Sequence, residues 1–122
     1  MQAADPNSVL HRLRAASLAL PGTDEVVSHG VPAFRVAGKM FAYFRNNHHG
    51  DGMTVVCVKT GGRDEQEMLI EADPDLFSRP AYLWPSGWVA MSLAGPDLDW
   101  HHVEARLLSS WRLAAPKRLV HP

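Results

Sequence analysis

The side chains with the most reactive potential in this sequence are its histidines and its single cysteine. His48-His49 followed by Asp51 would offer two imidazoles and a carboxylate to a metal ion. Neighbours in an extended strand point to opposite faces, however, and a structural metal site asks for about four converging ligands. The run Asn46 to Gly52 therefore reads as a solvated hairpin tip, and no metal is expected. On a helix, His101 and His102 would stand about 100° apart, too far around the axis to share one ion. Cys57 as a nucleophile would need a stabilised thiolate and some exposure. Its Val-Val-Cys-Val setting predicts an inert, buried thiol. Ser28-His29 lacks the strand-to-helix elbow that exposes a nucleophilic serine, and reads as a polar strand end. Gly61-Gly62-Arg63 could cradle a phosphate, but four acidic residues from Asp64 to Glu71 would repel it, and neither nucleotide-loop spacing is present. No catalytic constellation emerges, so the expectation is a non-enzyme without a cofactor.

Charge placement is more informative. Residues 61–80 carry six acidic against two basic residues, whereas residues 101–122 carry four basic against one acidic, with three histidines in addition. Arg106, Arg112, Lys117 and Arg118 fall toward the C-terminal end of the last helical pattern, where cations also complement the helix dipole. Arg35, Lys39, Arg45 and Lys59 fall on or beside hairpin patterns and could meet phosphates. As solvated strand charges they would instead serve solubility and edge protection. Tyr82, Trp84 and Trp88 could stack on bases or cover a ligand, and Tyr43, Tyr82 and Trp84 could line a patch for a small ligand or a protein partner. Trp88 is expected in the core.

The elements that must position these residues follow from periodicity. Val9, Leu10, Leu13, Ala16, Ser17 and Leu20 recur at helical spacing behind Asp5-Pro6, with Asp5 as the cap and Pro21-Gly22 as the stop. From Glu25 to Lys59 short segments rich in Val, Phe, Tyr and Thr alternate with turn residues. Ala37-Gly38 predicts a tight hairpin. Alternation along the following strand places Met40, Ala42 and Phe44 on one face and Phe41, Tyr43 and Arg45 on the other. The nearly all-apolar Thr54 to Val58 predicts a central strand. A second helix follows Gly61-Gly62 with acidic residues in its first turn. Pro74 to Gly87 reads as irregular, and Trp88 to Leu93 as a last strand. Asp99 caps a third helix carrying Trp100, Val103, Leu107, Leu108 and Trp111 on one stripe, which stops before Pro116. The loops are too short for parallel crossovers. The fold class is thus α+β, a two-layer sandwich with an antiparallel sheet of about five strands backed by three helices, in the order helix, strands, helix, strand, helix.

The chain has 122 residues, 46% hydrophobic and 20% charged, which fits one globular domain spanning 1–122. Twelve basic against thirteen acidic residues leave a formal charge of −1, so attraction to nucleic acid or anionic membrane must be local. One cysteine excludes a disulfide framework, and no long apolar run suggests a leader or a spanning helix, so a cytoplasmic monomer away from membranes is expected.

Several strings carry a family resemblance. They are Leu20-Pro21-Gly22, Ser28 to Val36 (Ser-His-Gly-Val-Pro-Ala-Phe-Arg-Val), Gly38-Lys39-Met40-Phe41-Ala42, Trp88-Val89-Ala90-Met91, and Trp111 to Leu119 (Trp-Arg-Leu-Ala-Ala-Pro-Lys-Arg-Leu). In order and spacing they resemble the MmcQ/YjbR family of small bacterial proteins over nearly the whole chain. The resemblance implies an antiparallel sheet backed by helices, similar to the CyaY or secretion-chaperone arrangement. It also implies DNA as a partner, through a double-wing motif built from β-hairpins, and brings no catalytic residues. Arg35, Lys39, Lys117 and Arg118 match family strings; Arg45, Lys59 and Arg112 are added from charge location alone.

Overall fold

The computed structural model describes residues 5–121. Helix α1 (Pro6–Leu18) leads into a four-strand meander, β1 (Thr23–Ser28), β2 (Val31–Val36), β3 (Lys39–Asn46) and β4 (Thr54–Lys59). Helix α2 (Arg63–Ala72), the two-residue β5 (Phe77–Ser78), β6 (Trp88–Ser92), α3 (Trp100–Ala114) and the short α4 (Lys117–Val120) complete the order. All strands join one antiparallel sheet in the order β1-β2-β3-β4-β6-β5. The α+β architecture matches the expectation, with one more strand and one more helix. Both additions are too short to show a period: β5 lies in the proline-rich stretch read as irregular, and α4 is a single turn.

Local chemistry sets the boundaries. Pro6 occupies the first turn of α1, where its missing N–H costs nothing. Asp5 caps through its backbone carbonyl, which accepts from Val9 N–H, and its side chain makes no capping bond, contrary to the sequence expectation. Asp99 caps α3 as expected, its carboxylate accepting from His101 N–H at 2.9 Å. Ala37 and Gly38 both adopt positive φ, 49° and 79°, the type I′ geometry that matches strand twist in a two-residue hairpin.

One sheet face packs under α1 and α3. Leu13, Phe34, Val36, Phe41, Val56, Val58, Val89, Met91, Val103 and Leu107 form this core. The even alternation expected along β3 fails at its start. Phe34 faces Ala42 but Arg35 faces Met40, so Phe41 is an extra residue, a β-bulge. The bulge turns Phe41 to the helix side with Ala42 and Phe44, and puts Met40 beside Tyr43 on the other face. It also leaves the Phe41 carbonyl pointing at α3, where the buried Ser110 hydroxyl donates to it and accepts from Lys59 N–H at 2.9 Å.

The other sheet face carries a smaller cluster, Val55, Cys57, Trp88 and Ala90, with Met40, Tyr43 and Leu83 packed against it. No helix covers it. Residues 79–87 cross it instead, held by Gln66, whose side-chain amide donates to Trp84 O at 2.9 Å and Trp88 O at 2.7 Å. Among the described residues no helix is long and apolar enough to cross a membrane.

Candidate functional site

A meander sends alternate turns to opposite ends of the sheet, and the candidate residues divide accordingly. At the end holding Ala37-Gly38 lie Arg35, Lys39 and, across the register, Lys59 opposite Trp88. α3 delivers Arg112 to the same end: Ser110 bonds to Phe41 and Lys59, and Trp111 Nε1–H donates to Pro21 O at 3.0 Å. Lys117 and Arg118 follow, because Leu119 of α4 packs against Gly22 and the neighbouring Val36. A Cβ added to Gly22, whose φ is 69°, would stand 3.1 Å from Leu119 Cδ1, so glycine permits this close approach.

Not all six cations are free. Arg35 makes a fork with Asp24 (Nε to Oδ1 3.0 Å, Nη2 to Oδ2 3.1 Å), which holds the Asp24 carboxyl below its ordinary range. Lys59 Nζ sits 6.0 Å from the Trp88 ring centre, a cation–π distance. Lys39, Lys59, Arg112, Lys117 and Arg118 have no carboxylate within ion-pair distance among the described residues. Three nearby acids are paired, Asp24 with Arg35, Glu65 with Arg106 and Glu67 with Arg63, while Asp64 in the first turn of α2 has no ion-pair partner among the described residues. The opposite end is acidic. Asp73, Asp75, Asp97 and Asp99 line an open cleft there with His102, whose ring meets Phe77 edge-on at 5.6 Å.

Arg45 belongs to that opposite end, six residues or roughly 20 Å along β3 from Lys39. Its Nη1 donates to Ala81 O at 3.0 Å, which ties the crossing segment to the sheet. Beside it opens a cavity of about 520 Å³ lined by His29, Val31, Tyr43, Arg45, His48, His49, Tyr82 and Leu83. His29 comes from the β1–β2 turn, His48 and His49 from the β3–β4 turn, and Tyr82 from the crossing segment. Tyr43 rests on Trp88, ring centres 5.2 Å apart, while Tyr82 is 79% exposed at the rim and meets His49 edge-on at 6.0 Å. Burial, with the charge of Arg45 next, pushes the His48 pKa down. Trp84, grouped with the two tyrosines in the sequence analysis, lies outside this cavity between the guanidiniums of Arg63 and Arg79, 5.3 and 4.7 Å from its ring centre.

Cys57 is fully buried and its thiol is pushed up to about 11 by desolvation. Among the described residues no three of His, Cys, Asp and Glu stand where they could hold one metal ion. Sequence reasoning weighed His29, His48 and His49 separately, as a catalytic base and as metal ligands, and missed their meeting. The available signal was topological: the first and third turns of a meander lie at the same end.

No curated protein matches this chain. A solved structure, that of the Deinococcus radiodurans protein DR2400 with a DUF419 domain, is similar with a TM-score of 0.73 at 20% identity, covering 97% of this chain and 92% of that one. That likeness shows the fold. The family model named YjbR matches residues 18–113, from the last residue of α1 to the last turn of α3. With that span and the strings noted above, the chain belongs to the YjbR family.

Proposed function

We propose that this chain is a non-catalytic binding domain whose cationic end rests on the phosphate backbone of duplex DNA. The observation that carries this reading is the gathering of Lys39, Lys59, Arg112, Lys117 and Arg118, none with a carboxylate partner among the described residues, at one end of the sheet. Such a surface attracts an anionic polymer although the whole chain carries −1, because several like charges gathered at one end set the local field there. The exposed Ala37-Gly38 turn, with Lys39 beside it, forms the wing that approaches the duplex. The β3–β4 turn lies at the other end of β3 and takes no part. Phosphate contacts of this kind position a protein without reading sequence, so binding is expected to be non-specific.

Fluorescence anisotropy of labelled random-sequence duplex DNA, titrated with the protein at low and rising salt, tests the reading. Neutralising up to five phosphates predicts a fall in log affinity against log salt with a slope no steeper than about −4.5. The paired reversal Lys39→Glu with Lys117→Glu should abolish binding at low salt. Absence of binding at low salt, or full binding by the reversed protein, would sink the proposal.

A further inference from the structure

The cavity at the far end of β3 has a chemistry that DNA contact at the Lys39 end does not use. From its lining we infer that it is a binding site for a small, planar, aromatic carboxylate. Its volume of about 520 Å³ lies within the range of small-molecule sites. No carboxylate lines it, whereas Arg45, His29, His48 and His49 do. Asp51, in the same turn, accepts from Met53 N–H at 2.8 Å through one oxygen and lines the adjoining cavity rather than this one. Arg45 is already oriented by its bond to Ala81 O, and its remaining guanidinium donors are available to a carboxylate in bidentate fashion. Tyr43 and Tyr82 supply two aromatic surfaces for a flat ring.

Backbone conformation gives an independent pointer. Among the described residues five non-glycine residues have positive φ, and three of them line this cavity: His49 at 53°, Tyr82 at 69°, and His29 at 52°, the last set by its two-residue turn with Gly30. Each such residue costs on the order of 1 kcal/mol or more, and such costs concentrate at binding sites. Tyr82 is the clearest case. The fold bends its backbone into the left-handed region and then leaves the ring in solvent, where its aromatic neighbour among the described residues is His49, met edge-to-face. A ligand sandwiched between Tyr82 and Tyr43 would give that ring a partner.

Naphthoate and its uncharged isostere naphthamide serve as probes, followed by two-dimensional amide NMR of the isotope-labelled protein. Naphthoate should shift the amides of His29, Tyr43, Arg45 and Tyr82, and naphthamide should bind about tenfold more weakly, the worth of a charged hydrogen bond. Arg45→Gln should erase the preference for the acid over the amide. Tyr82→Ala, at an exposed position that the fold does not need, should weaken both probes while leaving the spectrum elsewhere unchanged. Equal binding of acid and amide, shifts centred on Lys39 and Lys117, or no shift at all would overturn the inference. Because Arg45 and Tyr82 lie outside the cationic end, this site and the DNA surface stand or fall separately.

Discussion

Cys57 shows how one position follows from its neighbours. Val55, Val56 and Val58 surround it in the middle strand of the sheet, β3 and β6 flank it, and residues 79–87 pass over it. Desolvation disfavours the thiolate and lifts the pKa to about 11, so near pH 8 almost none of the reactive form is present. Iodoacetamide at that pH should leave the folded protein unmodified over hours and label it fully in denaturant. Rapid labelling of the native protein would mean that residues 79–87 lift readily. This buried thiol was readable directly from Val-Val-Cys-Val, because a nearly all-apolar strand implies burial on both faces. The cavity residues were not, since His29 and Tyr82 are 53 positions apart and meet only through the arrangement of turns.

Among the elements, β3 departs furthest from a reading by alternation. A bulge adds one residue and exchanges faces, and nothing in Lys-Met-Phe-Ala marks which residue is extra. Both Met40 and Phe41 are apolar, so either could serve either face. What decides is tertiary: α3 presents Ser110 to the freed Phe41 carbonyl and to Lys59 N–H. Ser110→Ala removes one group and strands two, a donor and an acceptor, in a buried place. The expected loss is about 2 kcal/mol, measured by urea unfolding. A loss below about 0.5 kcal/mol would show that the strands satisfy those groups without α3. Helices α1, α2 and α3, by contrast, were readable because each carries ten or more residues, enough for a periodic stripe and a cap or stop.

At the scale of the whole molecule, charge is sorted along the strands, with unpaired cations at one end and the cleft of Asp73, Asp75, Asp97 and Asp99 at the other. A protein with a net charge of −1 thereby has a direction, and the proposed anionic partner would be met end-on rather than broadside. The strand order itself bears on how quickly this arrangement is reached. Within the meander β1 to β4 each strand pairs with the next in sequence, and the β2–β3 turn closes with two residues. β6 can lie beside β4 only after residues 60–87 have looped out and back, and β5 then pairs outside it. Loop-closure entropy therefore favours the meander as the nucleus and leaves β6 to dock late. Phe34→Leu in β2 should slow folding, whereas Met91→Ala in β6 should chiefly speed unfolding, each read from a chevron plot. Equal slowing by both substitutions would place β6 in the nucleus. If β6 docks last, it also leaves first: a molecule that has lost β6 and β5 keeps Lys39 and its hairpin, yet exposes the apolar edge of β4 to any other chain in the same state.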